Sequence, residues 1–279
     1  MQSTRWIRLT IFLFSLILFS LSPVSMVASA APASAEDSAA PLQSEPETKT
    51  MPENSEVIVH PINMIASNAY LLETPEGLIL VDAGIPFSER QVYRKMREIG
   101  RDDLKLIYIT HAHIDHYGAA NAIREKTGAP IAIHKDDAAP MALGRTELGT
   151  VRDWKRLSNA TLPYIEPLLR VTPTEADILL EDGDSLQEYG IDAYVMHTPG
   201  HTPGSSTLIV NDTMAFAGDL VASGRKVHAQ RSYAQDWQEV ARSLIRLAEA
   251  GPEIIYAGHG SEPITLEQLR NIDPNYVEP

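Results

Sequence analysis

The sequence predicts a mixed α/β protein built on two β-sheets, and three observations carry that prediction. Short apolar runs closed by Gly, Asp or Pro recur along the chain. They fall into an earlier and a later series, and stretches with helical spacing are interleaved with both. One purely parallel sheet would not give that order.

Taken in order, Val57–Ile62 and Ala69–Glu73 read as strands, and Leu78–Val81 (LILV) as an apolar strand closed by Asp82-Ala83-Gly84. Ser88–Ile99 has helical spacing, with Ser88 as its cap and Gly100 as its stop. Leu106–Ile109 (LIYI) is a buried strand that runs straight into Thr110-His111. A helix is expected over Gly118–Lys126 and a strand over Ile131–His134, and residues 136–175 read as helices and loops. Strands follow at Ile178–Leu180, Ala193–Met196, Ser206–Val210 and Met214–Ala217. The chain then reads as an amphipathic helix over Trp237–Ala250, a strand over Ile254–Tyr256 and a closing helix over Thr265–Asn271.

Upstream, Arg5 and Arg8 precede an apolar run (Leu9–Leu21) and the small-residue site Ala28-Ser29-Ala30. That is the pattern of a secretory signal peptide over residues 1–30, cleaved near Ala30. The run is shorter than the ~20 apolar residues a membrane span needs, so membrane contact is expected only transiently, through the leader. Export then puts the chain in a periplasm or outside the cell. Residues 31–55, rich in Ala, Pro, Ser and Glu, read as a disordered linker, and 56–279 as the folded domain.

The chain of 279 residues has a formal net charge of −14, with no basic patch, which argues against nucleic acid or an anionic membrane as partner. It has no cysteine, so thiolate nucleophiles, cysteine-ligated zinc and disulfides are excluded. Chemistry must come from His, carboxylates, hydroxyls or a metal.

The informative segment is Thr110-His111-Ala112-His113-Ile114-Asp115-His116. Chance produces H-x-H-x-D-H in roughly five of ten thousand chains of this composition. A loop leaving a strand end can aim three imidazoles and a carboxylate into one small volume, and those are donors that zinc and iron take. Three further pieces each follow a predicted strand: His201 within Thr198-Pro199-Gly200-His201-Thr202-Pro203-Gly204-Ser205, Asp219 within Ala217-Gly218-Asp219, and His259 within Gly258-His259-Gly260. Five His and two Asp make a donor count suited to two metal ions. Among the rest, His60 and His134 read as structural or solvated, His197 as packed or bonded to backbone, Asp102-Asp103 and Asp136-Asp137 as solvated loop charge, and Tyr233 and Trp154 as packing ahead of substrate contact. His228, in a Gly-flanked loop soon after Asp219, is a candidate for lining the substrate groove.

The set resembles the metallo-beta-lactamase superfamily, and its glyoxalase-II-like branch in particular. HAHIDH, the TPGHTPGS turn, AGD and GHG occur in family order, with Asn68-Ala69-Tyr70-Leu71-Leu72 and Val81-Asp82-Ala83-Gly84 similar to its opening strands. The likeness covers roughly residues 56–265. It implies a four-layer αββα sandwich of two mixed sheets flanked by helices, with two Zn2+ ions (alternatively Fe or Mn) in a groove at one edge. His111, His113 and His201 would hold the first ion, Asp115, His116 and His259 the second, with Asp219 bridging. A metal-bridging hydroxide would be the nucleophile, Asp115 would orient it and move its proton, and Asp82 would fix a ligand by hydrogen bonding.

The resemblance implies a hydrolase of ester, thioester or lactone-like bonds in a small-molecule substrate. Asp219 argues against the runner-up, a cysteine-free metallo-beta-lactamase acting on beta-lactams, because those typically lack an acid at that place. Twenty residues follow His259, too few for the helical C-terminal domain of a full glyoxalase II, so glutathione specificity is not expected. Two more readings stay open, a mono-iron persulfide dioxygenase and a non-enzymatic metal-binding protein. Oligomeric state is unread.

Overall fold

The computed structural model describes residues 56–151, 171–224 and 226–273, all within the compact unit Lys49–Pro279. The predicted leader and linker, and Trp154, lie outside the described residues.

The earlier strands form a six-stranded mixed sheet. β1 (Ile58–Asn63), β2 (Asn68–Glu73) and β3 (Leu78–Val81) are antiparallel neighbours, and β4 (Leu104–Ile109) and β5 (Ile131–His134) continue it in parallel. A two-residue strand, β6 (Thr150–Val151), stands apart. Ile178–Leu180 (β7) joins the first sheet, parallel to β5. The later strands β8 (Ala193–His197), β9 (Ser206–Val210), β10 (Met214–Phe216), β14 (Ile254–Tyr256) and β16 (Ile264–Thr265) form a second, five-stranded mixed sheet.

Alternation along these strands explains why the sheets read as continuous apolar runs. Leu78 and Leu80 of β3, with Ile107 and Ile109 of β4, pack outward against Val92 and Met96 of α1 (Glu89–Ile99) and Ile123 of α3 (Ala120–Thr127). Their alternates Ile79, Val81, Leu106 and Tyr108 point inward to Leu208, Val210 and Phe216 of the second sheet. Ile209 faces the other way, toward Trp237, Val240, Leu244 and Leu247 of α5 (Trp237–Ala250). Three cores between four layers make an αββα sandwich. Both large sheets are covered on both faces.

The local expectations hold with some corrections. Ser88 precedes α1 but does not cap it; its hydroxyl bonds to the Ala83 and Ile85 carbonyls instead. The helix expected over Gly118–Lys126 forms as α3, and an unpredicted single turn, α2 (Ile114–Tyr117), precedes it. The stretch 136–175 contributes α4 (Lys135–Ala142) and β6 among the described residues. α5 is capped by Asp236, which accepts from Gln238 and Glu239 N–H at 2.8 and 3.0 Å. The closing helix α6 (Leu266–Arg270) starts from a Thr265–Gln268 capping box. Six short strands gave no signal in the sequence: β11 (Val221–Ser223), β12 (Val227–Ala229) and β15 (His259–Gly260) form a small sheet beside the site, β13 (Tyr233–Ala234) pairs with β6, and β16 edges the second large sheet.

Candidate metal centre

β4 ends at Ile109, and its last buried residues aim the chain at the junction of the two sheets. His111 and His113 flank Ala112, and the imidazole of His201 comes across from the loop after β8. The three rings lie 4.5–4.7 Å apart, all edge-to-face and all buried. Each ring's second nitrogen has a partner: His111 Nδ1 at 3.1 Å from Thr110 Oγ1, and His113 Nε2 at 3.2 Å from the Glu147 carbonyl. His201 Nδ1 stands between an acceptor, Tyr233 O at 3.1 Å, and the Gln230 side-chain amide at 3.0 Å. Its ring can therefore carry the proton on either nitrogen. On Nε2 it spans the 3.0 Å to His113 Nδ1. On Nδ1 it bonds Tyr233 and leaves two lone pairs facing each other, the arrangement a bound cation requires. Ligands in tetrahedral geometry around zinc stand about 3.3 Å apart, close to that spacing.

The second group grows from α2. His116 is buried, and its Nδ1 donates to Asp82 Oδ2 at 2.8 Å. Asp82 ends β3 with φ 59 and also accepts from Thr110 N–H at 2.8 Å, so one carboxylate ties two successive strand ends. The free edge of His116, Nε2, lies 3.2 Å from Asp219 Oδ1 and 3.7 Å from Asp115 Oδ2. His259 Nε2 lies 3.4 Å from Asp115 Oδ2 and 3.2 Å from Asp219 Oδ2, and that same Asp219 oxygen is 3.4 Å from His201 Nε2. Asp219 thus reaches both groups. A Cβ at Gly258 would fall 2.6 Å from Asp219 Oδ1 and 2.7 Å from His116 Cε1, which explains the glycine before His259.

Charge separates the groups. Burial, with neighbouring imidazoles, holds His111 well below the ordinary histidine value and pushes His201 down to about 3; burial also lowers His113. His259 is pushed up to about 10, chiefly by the Asp219 charge. For His116, burial acts downward, but Asp82, Asp115 and Asp219 outweigh it and raise it well above the usual range. Asp219 is held well below the carboxylate range because His259 and His116 outweigh its burial.

The donor set suits a metal. Nitrogen and carboxylate oxygen within 4.8 Å of one another occur in the groups His111-His113-His201, His111-His116-Asp219 and Asp115-His116-His259. Among the described residues, His111 Nε2, His116 Nε2 and Asp219 Oδ1 are buried without a hydrogen-bond partner. His116 Nε2 and Asp219 Oδ1 meet each other at 3.2 Å outside good hydrogen-bond geometry and His111 Nε2 has no hydrogen-bond partner, and folded proteins rarely bury polar atoms so poorly satisfied at one point without a ligand to take them. A fourth group, His134-Asp136-His197, differs. Its imidazoles are stacked at 4.0 Å and 8°, with lone pairs running side by side, and His197 Nε2 bonds the Pro203 carbonyl at 2.8 Å, a packing arrangement as expected for both. His60 pairs with Glu73 at 2.8 Å across β1 and β2.

A cleft of about 290 Å3 opens from Asp219 and His259 and is lined by His228, Gln230, Arg231 and Tyr233. His228 is therefore beside the metal-ligand candidates, brought there by the pairing of β12 with β11. Tyr233 is more than packing, since its ring lies 5.5 Å from His201 and 5.9 Å from His113. Asp137 overturns its reading as solvated charge: it is fully buried. Glu147 and Gln230, which touch the imidazoles, carried no signal in the sequence, because one acts through its carbonyl and the other is an isolated amide.

A sequence profile of the metallo-beta-lactamase superfamily matches residues 63–259. A probable metallo-hydrolase of Bacillus subtilis, YflN, is 30% identical over 236 residues, covering 76% of this chain and 87% of the relative. Among solved structures, TTHA1623 in a di-iron-bound form is 27% identical with a TM-score of 0.59, covering 78% of this chain and 99% of that one. The B3 metallo-beta-lactamase BLEG-1 is 26% identical with a TM-score of 0.57, covering 76% and 95%.

Proposed function

This chain belongs to the metallo-beta-lactamase superfamily, and from that premise we propose that it is a dinuclear metallo-hydrolase of ester, thioester or lactone-like bonds in small molecules. The observation that carries this reading is Asp219, whose oxygens lie 3.2–3.4 Å from imidazoles of both groups. His111, His113 and His201 would hold one divalent ion and Asp115, His116 and His259 the other, Asp219 serving both. Ions held there supply Lewis acidity for the scissile carbonyl and lower the pKa of an attacking water.

The chain's own groups supply the rest. The Asp115 carboxylate, through the oxygen that would not bind the ion, accepts the proton of the attacking water and returns it to the leaving oxygen or sulfur. Asp82 holds His116 with Nε2 turned into the site. Tyr233 and His228 form a wall of the cleft against which the acyl part of the substrate rests. Nitrogen and oxygen donors favour zinc, with iron or manganese next in line. Residues 1–30 are taken as an export leader; a secreted product beginning at Ala31 is expected, and an intact N-terminus would overturn it. Among the described residues no helix is long and apolar enough to cross a membrane.

The test is metal content of protein purified without added metal, followed by a panel of ester, thioester, lactone and beta-lactam substrates with and without a chelator. Two divalent ions per chain and chelator-sensitive hydrolysis of one of the first three classes is the expected result. Turnover of beta-lactams alone, or one iron with oxygen-dependent turnover of a sulfur substrate, would overturn it.

A further inference from the structure

Asp137 is fully buried in α4, outside the ligand set, yet its carboxylate reaches both loops that supply the first histidine group. Oδ2 accepts from Ala112 N–H and from the Thr202 hydroxyl, each at 2.7 Å. Oδ1 accepts from Gly204 N–H at 2.7 Å. Ala112 lies between His111 and His113, and Thr202 follows His201. The Thr202 hydroxyl is itself oriented by Ser205 Oγ at 2.7 Å, which also accepts from Thr202 N–H at 3.0 Å. The loop comes so close that a Cβ at Gly204 would lie 2.5–2.7 Å from the Asp137 backbone and side chain. The second glycine of the TPGHTPG turn is thus required by Asp137 rather than by a ligand.

We propose that Asp137 is a positioning residue for metal binding, a clamp that sets His201 against His111 and His113; this rests on the metal-hydrolase reading above. Only a group with two acceptor oxygens can serve three converging donors from two loops. An asparagine has one oxygen, so in either orientation its amide N–H would face a backbone N–H and one loop would be released. Residues that orient ligands in this way commonly govern metal affinity by 10–100-fold.

The experiment is titration of the full chain with Co2+, followed by its visible ligand-field bands, and zinc competition against a chromophoric chelator, with the thermal midpoint of the metal-free protein recorded alongside. Asp137→Asn is expected to weaken binding by about 10–100-fold and to alter the Co2+ bands. Gly204→Ala, which leaves the carboxylate in place but pushes the loop off it, is expected to do the same. Asp136→Asn, the exposed neighbour, should match the unaltered protein. Folded Asp137→Asn with unaltered affinity and bands overturns the proposal, even if its thermal midpoint falls, because that is what a merely structural role gives. Should Asp137→Asn fail to fold, Thr202→Val removes one donor only; a several-fold loss of affinity supports the clamp, and none overturns it. An unaltered chain that binds no Co2+ overturns the metal reading as well, which distinguishes the two failures.

Discussion

His111, His113 and His201 sit among other imidazoles, a hydroxyl and backbone carbonyls, whereas His116 and His259 sit among Asp82, Asp115 and Asp219. The residue type is the same and burial is severe for all but His259, yet the charge states are opposite. Asp219, 3.4 Å from His201 Nε2, does not offset the desolvation of the first group, which stays neutral at pH 7 and offers lone pairs directly. The second group holds protons that balance three carboxylates. Neighbours, more than burial, decide whether an imidazole is a ready ligand or one that must first lose a proton.

The comparison can be broken most severely at Asp115. Asp115→Asn keeps the shape of the second group while removing its proton acceptor, and kcat is expected to fall by about 10²–10⁴-fold. Steady-state kinetics with a metal-loaded variant checks this, and an unchanged kcat would remove Asp115 from the mechanism. Asp82→Asn comes next. His116 loses its carboxylate partner, and the second equivalent of metal should bind about 10–100-fold more weakly while the first is little changed. Equal weakening of both would erase the distinction between the groups.

Two smaller effects follow from protonation alone. At pH 7 the first equivalent of metal should release few protons, since His201 needs only to shift its proton from one nitrogen to the other. The second should release up to two, one each from His116 and His259. Calorimetric titration in two buffers of different ionisation enthalpy measures this, and equal release by both equivalents contradicts it. The smallest effect is on the metal-free protein. His201, folded near 3 and unfolded near 6.5, binds fewer protons when folded, so stability should rise as pH climbs through that interval. His259, raised to about 10, contributes stability that is complete below 6.5 and lost as pH rises through 10. Thermal midpoints in chelator should therefore pass through a maximum near neutrality, and a flat profile would refute the assigned charge states.

Much of the site was legible because its donors occur as short motifs at strand ends, where side chains of the right type cannot be excused as core. The two-sheet architecture was legible because buried strands such as LILV and LIYI stand out from the helices. What escaped has physical causes. α2 is one turn long, too short for periodicity, and its role is to place Asp115 and His116. β11, β12 and β15 are two or three residues each and exist through pairing distant in sequence, such as Ala222 with His259. Ser88 looked like a cap because the residue type is right, but a preceding turn claimed its hydroxyl. Asp137 looked like surface charge because it stands beside Asp136, and in a helix adjacent residues point in different directions.

The topology divides the chain cleanly in sequence. Every strand of the first large sheet lies at or before Leu180 and every strand of the second at or after Ala193, with the turn at 181–185 between them, and only the short β6–β13 pair links the two parts strand to strand among the described residues. The donors divide the same way, four on one side (His111, His113, Asp115, His116) and three on the other (His201, Asp219, His259). A metal affinity measured on this protein is thus in part a mating constant for its two halves. On the dinuclear reading proposed above, Co2+ colour would report reassembly of a chain severed in that turn, and each ion would work as a rivet whose strength adds to that of the apolar seam.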